Sequence, residues 1–149
     1  MNKIYLSWEG FERDIETFSN YLGDFNLKEN TIILGVKRGG FTTSATLSNR
    51  LGFPVSTVKF QSRDGNDTKP IFLESEMINK DSTVIIPDDI YDTGLTINTI
   101  IKKLTEDCKI PLRNIIGLFH FHNGAIKSEL IHYKAIKNTG GLWAVLPWE

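Results

Sequence analysis

Short apolar runs alternate along this chain with segments whose apolar residues recur at helical spacing. Residues 31–36 (TIILGV), 83–86 (TVII) and 114–121 (NIIGLFHF) are typical of strands that are buried on both faces. Residues 41–52 (FTTSATLSNRLG) predict a helix with a glycine as its stop signal, and residues 96–104 predict another helix. Strands that alternate with helices predict an α/β fold, with a parallel sheet flanked by helices on both faces.

The rest of the chain adds shorter elements to this pattern. Residues 3–6 (KIYL) predict a short strand, and Ser7 is a suitable N-cap for a helix. That helix would carry a stripe of apolar residues: Phe11, Ile15, Phe18 and Leu22. Residues 54–60 (PVSTVKF) predict a third extended run, and residues 61–70 (QSRDGNDTKP) are typical of a mobile loop. The tail, residues 138–149, does not continue the alternation, and its two tryptophans are expected to cover another part of the protein.

Length, charge and cysteine content narrow the class of protein. A chain of 149 residues is sufficient for a single domain with its own core, residues 1–149. The formal net charge is −1 without any basic block, so neither nucleic acid nor a membrane is expected as a partner. The single Cys108 excludes an internal disulfide and favours a reducing compartment. With no signal-like start and no apolar run as long as a membrane span, the expected location is cytoplasmic.

Three carboxylates crowd into residues 83–97 (TVIIPDDIYDTGLTI). Asp88 and Asp89 end the apolar run, and Asp92 follows shortly after them. Like charges at short range repel, so this arrangement costs stability unless a cation lies among the acids. Carboxylates at a strand end suit the hydroxyls of a sugar or a magnesium ion. Capping of the turn and the helix would explain one acid well and three poorly, so the set indicates a binding site.

The segment DTGLT, residues 92–96, has the composition of an anion-binding turn. It would offer successive backbone N–H groups and two hydroxyls at the start of a helix, where the helix dipole also favours an anion. Gly94 allows a close approach and unusual backbone angles. A monophosphate site beside these acids predicts a pocket for ribose 5-phosphate. Residues 37–40 (KRGG) also follow a strand of the predicted parallel sheet, so both turns are expected to face one cleft.

Residues 84–96 (VIIPDDIYDTGLT) resemble the signature of type I phosphoribosyltransferases, which is an apolar strand, two acids and then Asp-Thr-Gly-x-Thr. Residues 3–22, 33–52 and 142–149 also resemble this family, and within it the bacterial xanthine-guanine enzymes. The resemblance implies the type I phosphoribosyltransferase fold, with a core of about residues 1–122. It also implies a small hood of about residues 123–149 together with the N-terminal residues.

In that family the 5-phosphoribosyl group passes from phosphoribosyl pyrophosphate to a purine, with release of pyrophosphate. The resemblance therefore implies purine salvage with Mg2+ as cofactor, and phosphoribosyl pyrophosphate and a purine base as small-molecule partners. Because homo-oligomers are common in the family, a homodimer or homotetramer is expected.

The resemblance also assigns roles to the matching residues. Asp88 and Asp89 would hold the ribose hydroxyls and the metal, and Asp92 would accept a proton near N7 of the base. The 5-phosphate would lie on a turn made by Thr93, Gly94, Leu95 and Thr96. The pyrophosphate would lie on a bend, often with a cis peptide bond in the family, made by Lys37, Arg38, Gly39 and Gly40. Arg38 and Asp92 are the expected catalytic residues.

Further contacts with substrate are expected from the predicted loop and from the tail. Lys59, Ser62 and Arg63 would contact the leaving pyrophosphate when the loop closes. Trp143 would stack on the purine, because it is the largest flat apolar surface available. Trp148 is instead expected to cap the core or a subunit interface.

Three positions depart from the family pattern. Leu95 replaces a glycine of the phosphate turn, and Arg63 replaces the tyrosine of a Ser-Tyr pair. The lysine that reads the 6-oxo group in the family has only His122, Asn123 and Lys127 as poor substitutes. The base therefore stays open among xanthine, guanine and hypoxanthine. A non-enzymatic sensor of phosphoribosyl pyrophosphate or nucleotides is the alternative function.

Two further interpretations are less favoured. A phosphoacceptor receiver-like domain also binds magnesium with paired acids, but it gives no reason for the DTGLT turn or the tryptophan-rich tail. His120 and His122 share one face of a predicted strand, and a zinc site would need at least one more protein ligand. Since the chain offers only His132 and Cys108 besides them, packed or surface histidines are the expected outcome.

Overall fold

The structure is a computed structural model that describes residues 2–63, 67–73 and 77–149, with the backbone alone described for residues 60–63 and 67–73. It contains eight strands in the described residues: β1 Lys3–Tyr5, β2 Thr31–Val36, β3 Val55–Arg63, β4 Asp67–Leu73, β5 Thr83–Tyr91, β6 Ile115–His122, β7 His132–Asn138 and β8 Trp143–Val145. The α-helices of that part of the chain are α1 Trp8–Leu22, α2 Phe41–Leu51 and α3 Leu95–Glu106.

The main sheet has six strands in the order β4-β3-β2-β5-β6-β7. Its last five strands in this order are mutually parallel, and β4 pairs with β3 in the antiparallel direction. A second sheet joins β1 to β8, with Lys3 opposite Trp143 and Tyr5 opposite Val145. The predicted α/β fold with a parallel sheet is therefore confirmed.

Helices cover both faces of the main sheet. Ile33 and Ile85 belong to one apolar cluster with α1 and α2, whereas Ile32 and Ile86 belong to a second cluster with α3. This division follows from the strand period, because successive side chains point to opposite faces. The stripe predicted for α1 is fully buried: Phe11, Ile15, Phe18 and Leu22.

The helix ends follow the capping residues that the sequence offers. The N–H of Gly10 donates to the hydroxyl of Ser7 at 3.0 Å, which caps α1 as predicted. Helix α2 ends at Gly52, whose φ of 80° lies in the left-handed region. Helix α3 begins at Leu95, one position before the predicted range.

Residues 61–70 differ from the prediction of a mobile loop. Residues 61–63 continue β3, and β4 begins at Asp67, so that Arg63 pairs with Asp67 and Thr57 with Leu73. Polar, turn-forming residues favour a loop, but pairing with an antiparallel neighbour overrides this weak local preference. Residues 64–66, which complete the predicted loop, lie outside the described residues.

Strand β7 was not predicted from the sequence. It lies within the range assigned to the hood, yet it is the edge strand of the main sheet and pairs with β6 from Ile116–His132 to His122–Asn138. An edge strand is only partly covered, so its sequence HYKAIKN lacks the apolar run that revealed the central strands. The division into a core and a hood stays a prediction.

Candidate active site

Strand β5 is longer than the apolar run that predicted it, and its extension carries two of the three acids. Its pairing with β2 ends at Ile33–Ile85, whereas its pairing with β6 continues to Tyr91–His122. The apolar run predicts that Asp88 and Asp89 follow the strand, but both lie within it. Beyond Ile85 one edge of β5 no longer pairs with a strand of the described residues, and residues 37–40 lie against this edge.

Residues 37–40 form a tight bend between β2 and α2. The N–H of Lys37 donates to the Val58 carbonyl at 2.9 Å, and the N–H of Gly40 donates to the Val36 carbonyl at 2.9 Å. The peptide bond between Lys37 and Arg38 is cis, and both side chains are exposed. The bend therefore presents two cationic side chains to solvent at the carboxyl end of β2.

Two glycines allow this bend to touch β5. A Cβ added to Gly39 would lie 2.5 Å from Asp89 Oδ2, and a Cβ on Gly40 would overlap the carbonyl oxygen of Pro87. The same atom on Gly40 would lie 3.1 Å from the Cα of Asp88. The close approach of bend and acids thus depends on glycine at both positions.

Asp88 and Asp89 differ in their surroundings. Asp88 is buried, its Oδ1 accepts the N–H of Asp89 at 2.8 Å, and Asp89 Oδ1 accepts the N–H of Ile90 at 2.9 Å. Desolvation by burial and, after it, the negative charge of Asp89 raise the pKa of Asp88 well above its usual range. Asp89 is only half-buried, and it lines the cavities described below.

The two carboxylates fit a magnesium ion. Among the described residues there is no cluster of three or more metal-ligating side chains, but magnesium is commonly held by one or two carboxylates, with waters and substrate phosphates as its other ligands. A cation beside Asp88 would also offset the cost of burying its charge next to a second acid. The donor set therefore suits a magnesium ion that arrives with a phosphorylated substrate.

The predicted phosphate turn lies between the end of β5 and the start of α3. Gly94 has a φ of 86°, and a Cβ on it would overlap the hydroxyl of Tyr91. The first backbone bond of the helix runs from the N–H of Asn98 to the carbonyl of Gly94 at 2.8 Å, so the preceding N–H groups have no partner within the helix. Among them, the N–H of Leu95 donates to the hydroxyl of Thr93 at 3.3 Å. The Leu95 side chain is 65% exposed, so this departure from the family pattern does not fill the turn.

A cavity of ≈ 280 Å³ lies above this turn, lined by residues 88–97 and Phe119. A second cavity of ≈ 370 Å³ lies next to it, beneath the tail of the chain. The lining of this second cavity combines residues of β5, of the β6 and β7 ends and of the tail: Asp89, Ile90, Asp92, Asn123, Thr139, Gly141, Leu142, Trp143, Ala144, Leu146 and Glu149. Because Asp89 and Asp92 line both cavities, the two form adjoining parts of one cleft.

Trp143 and Asp92 both line the second cavity. Trp143 lies on β8 and is 58% exposed, so much of its ring is free to contact a ligand. Asp92 is exposed, and its Oδ1 accepts a hydrogen bond from the Asn123 amide at 3.1 Å. The backbone N–H of Asn123 donates to the Tyr91 carbonyl at 3.0 Å, which anchors the amide beside the acid motif.

The three residues that could replace the family's lysine, His122, Asn123 and Lys127, lie in different surroundings. Asn123 lines the Trp143 cavity, and the side chains of His122 and Lys127 do not. The Nδ1 of His122 is 2.8 Å from the Gly124 carbonyl oxygen, and Lys127 lies beside a different cavity. Asn123 is therefore the substitute that can reach a base in this cavity.

Three predicted pyrophosphate contacts come from β3. Lys59 is exposed and follows Val58, whose carbonyl holds the N–H of Lys37, so Lys59 is adjacent to the bend. The side chains of Ser62 and Arg63 lie outside the described residues, and their roles stay predictions.

Tyr91 is a site residue that the sequence analysis did not single out. It is buried, its ring meets Phe119 edge-on at 5.4 Å, and its hydroxyl donates to the Lys127 carbonyl at 2.7 Å. This hydroxyl lies against Gly94, so that a Cβ added to Gly94 would overlap it. Its position inside the acid motif could have indicated a site residue. A residue between two acids suggests only a spacing role, however, so the sequence did not reveal it.

His120 and Trp148 have ordinary packing roles, as expected. His120 is buried, with Nδ1 at 2.7 Å from Asp14 Oδ2 and Nε2 at 2.7 Å from Thr43 Oγ1. These contacts connect β6 to α1 and α2. Trp148 packs on the cluster beneath α1, edge-on to Phe11 at 5.6 Å.

A larger cavity than these two is separate from the acids. Its volume is ≈ 630 Å³, and it lies between α3 and residues 127–129. None of the residues of the acid motif or of the KRGG bend lines it, so its size does not make it the active site.

Comparisons with known proteins agree with this geometry. The family model described as "Phosphoribosyl transferase domain" matches residues 1–144. The structure of a purine phosphoribosyltransferase from Pyrococcus horikoshii Ot3 is similar with a TM-score of 0.78 and 26% identity, over 100% of this chain and 95% of that chain. The Helicobacter pylori xanthine-guanine-hypoxanthine phosphoribosyltransferase also gives a TM-score of 0.78, at 19% identity, over 99% of this chain and 94% of that one, which shows the fold alone.

A curated relative carries the name of a different activity. The orotate phosphoribosyltransferase of Malacoplasma penetrans (strain HF-2) is 24% identical over 121 residues. The match covers 81% of this chain, which spans 56% of the length of that relative. Likeness to proteins that act on different bases does not select the base for this chain.

Proposed function

Because the chain belongs to the phosphoribosyl transferase domain family, we propose that it transfers the 5-phosphoribosyl group from phosphoribosyl pyrophosphate to a 6-oxopurine. The observation that carries the proposal is that Asp89 and Asp92 line both cavities of the cleft, one with the phosphate turn and one with Trp143. A sugar phosphate in the first cavity and a base in the second would meet at these two acids.

The phosphate turn would hold the ribose end of the substrate. The N–H groups at the start of α3 and the hydroxyls of Thr93 and Thr96 would bind the 5-phosphate. Asp88 and Asp89 would accept hydrogen bonds from the ribose hydroxyls and hold magnesium. When bound, magnesium supplies positive charge beside the pyrophosphate.

The KRGG bend would hold the leaving group. In the reaction, the bond from C1 of the ribose to a pyrophosphate oxygen breaks, and a bond from C1 to a purine nitrogen forms. Lys37, Arg38 and Lys59 would neutralise the charge that builds up on the pyrophosphate. The purine loses a proton in this step, and Asp92 would accept it, while Trp143 stacks on the ring.

The direct test is an assay of nucleotide formation and pyrophosphate release. The protein is incubated with magnesium and phosphoribosyl pyrophosphate together with hypoxanthine, guanine, xanthine, adenine or orotate. Turnover of a 6-oxopurine, lost in a chelator and in the Asp88→Asn/Asp89→Asn double variant, supports the proposal. Turnover of adenine or orotate alone would keep phosphoribosyl transfer but contradict the 6-oxopurine assignment.

A non-enzymatic sensor of phosphoribosyl pyrophosphate or nucleotides is the second candidate. Among the described residues no lysine or arginine lines the Trp143 cavity, although a lysine reads the 6-oxo group in the family. The structure of a hypothetical protein from Neisseria gonorrhoeae with bound ppGpp is similar with a TM-score of 0.72 at 17% identity, over 100% of this chain and 90% of that chain, which is a likeness of fold alone. Binding of phosphoribosyl pyrophosphate without turnover of any base would favour this candidate.

The biological setting is part of the same proposal. Purine salvage in the cytoplasm by a homodimer or homotetramer would follow from the reaction and from the family. Among residues 2–63, 67–73 and 77–149, no helix has the length and apolar character needed to span a membrane. Sedimentation of the purified protein would establish the number of subunits.

A further inference from the structure

We infer that the base cavity selects guanine among the 6-oxopurines, with Glu149 as the residue that recognises its 2-amino group. The inference rests on the proposed function and concerns the same cleft. The feature behind it is the charge of the lining: three carboxylates, those of Asp89, Asp92 and Glu149, and no lysine or arginine among the described residues.

Glu149 is the carboxylate of this lining that the proposed reaction leaves without a role. Asp89 serves the ribose and the metal, and Asp92 serves the proton of the base. The Oε2 of Glu149 is 3.5 Å from the N–H of Leu146, a long hydrogen bond that leaves the carboxylate most of its accepting capacity. The N–H of Glu149 donates to the Leu146 carbonyl at 3.1 Å, which holds the residue beside the cavity.

The neutral side-chain donors of the lining come from the residues that follow β6 and β7. The Asn123 amide is bonded to Asp92, and the N–H of Thr139 donates to the His122 carbonyl at 2.8 Å. Thr139 is 3% exposed, and its hydroxyl is buried without a hydrogen-bond partner among the described residues. A buried hydroxyl without a partner is costly, so its presence in the lining points to a polar ligand.

These positions match the two edges of guanine. N7 and the 6-oxo group share one edge of the ring, and they would face Asp92, Asn123 and Thr139. The N1–H and 2-amino groups, which are both donors, would then face away from these residues, and the Glu149 carboxylate of the same lining could accept both. Hypoxanthine lacks the 2-amino group. Xanthine has an oxygen there and is partly anionic near neutral pH, so the carboxylate would repel it.

The test compares bases within each variant. Values of kcat/KM for guanine, hypoxanthine and xanthine are measured in the natural protein, in Glu149→Gln and in the control Glu106→Gln, an exposed glutamate on α3. We expect guanine to exceed hypoxanthine by about 10- to 100-fold, since a hydrogen bond to a charged group is worth this much. Glu149→Gln should bring this ratio close to one and raise xanthine relative to guanine, and Glu106→Gln should leave the ratios unchanged.

A merely structural role of Glu149 would lower kcat/KM for all three bases together. That result, or xanthine turnover equal to that of guanine in the natural protein, would overturn the inference while leaving the proposed function in place. Titration calorimetry with the 5′-monophosphates of guanosine, inosine and xanthosine gives the same comparison without turnover. If adenine alone were used, both the proposed function and this inference would be wrong.

Discussion

The backbone of Gly39 lies against the carboxylate of Asp89, so that any side chain at position 39 would collide with it. An added Cβ would be 2.5 Å from Oδ2 of Asp89. The contact joins the bend that carries the cations to strand β5, which carries the acids and is far from the bend in the sequence. It places the proposed pyrophosphate loop directly beside the proposed ribose site.

Gly39→Ala therefore tests the contact between the bend of residues 37–40 and Asp89 of β5. We expect the free energy of unfolding to fall by about 1–3 kcal/mol, as in other overpacked sites. Affinity for phosphoribosyl pyrophosphate, measured by calorimetry with magnesium, should also fall because Asp89 must move. Gly23→Ala at the end of α1 is the control, since Gly23 has an ordinary φ of −62° and lies outside the cleft. Unchanged affinity in Gly39→Ala would contradict the proposed site.

Gly94 and Tyr91 offer a test of the phosphate turn. Gly94→Ala should weaken phosphoribosyl pyrophosphate binding for two reasons, a φ of 86° and the overlap with the Tyr91 hydroxyl. The conformational part alone costs about 1–2 kcal/mol. Adding Tyr91→Phe to Gly94→Ala removes the closest overlap, the one with the hydroxyl. It leaves the ring carbon Cζ at 2.8 Å and the conformational cost, so binding should recover only in part. No recovery at all would mean that the hydroxyl is not the obstacle.

The relative importance of Arg38 and Asp92 follows from the proposed chemistry. Loss of one preorganised charge at the leaving group typically lowers kcat by about 10²–10³-fold, and we expect this for Arg38→Ala. Asp92→Asn, which removes the proposed proton acceptor, should lower kcat by less. Arg113→Ala, at an exposed arginine before β6, is the matched control. Steady-state kinetics with the reverse order would show that proton removal dominates.

The buried contacts of His120 predict an effect on stability and not on catalysis. His120→Phe keeps the ring but leaves the Asp14 carboxylate and the Thr43 hydroxyl without their partner. We expect the free energy of unfolding to fall by about 2–4 kcal/mol, because each unsatisfied buried polar group costs about 1–3 kcal/mol. His132→Phe, at a half-buried histidine on β7, should have a smaller effect. A large change in kcat/KM with normal stability would assign His120 a different role.

The surroundings of Asp88 predict how stability depends on pH. Burial and the neighbouring Asp89 raise the pKa of Asp88 in the folded protein, so the folded state binds this proton more tightly than the unfolded state does. Its contribution to the free energy of unfolding is complete below the ordinary aspartate pKa of about 3.9 and declines as the pH rises toward the raised value. Urea unfolding across this range should show a smaller decline in Asp88→Asn. An identical pH dependence in both proteins would contradict the assignment.

Much of the fold was predictable because its signals are local. The runs TIILGV and TVII revealed central strands, Ser7 and Gly52 marked helix ends, and the predicted stripe of α1 is buried. The prediction of a loop at residues 61–70 was wrong, and strand β7 was not predicted. Both failures have the same reason. Both involve polar segments that become strands by pairing with a neighbour, and no periodicity within the segment announces that pairing.

The acid motif and the KRGG segment are readable in the sequence because their residue types and spacing carry the chemistry. The distance between these two segments cannot be predicted from the sequence. It depends on where β2 stops pairing with β5 and on how closely two glycines let the bend approach. The choice of Asn123 as the partner of Asp92, and the position of Glu149 in the same cavity, likewise depend on strand ends and a tail that meet only in the folded chain. Local composition determines which groups are available, and long-range packing determines which of them share one cavity.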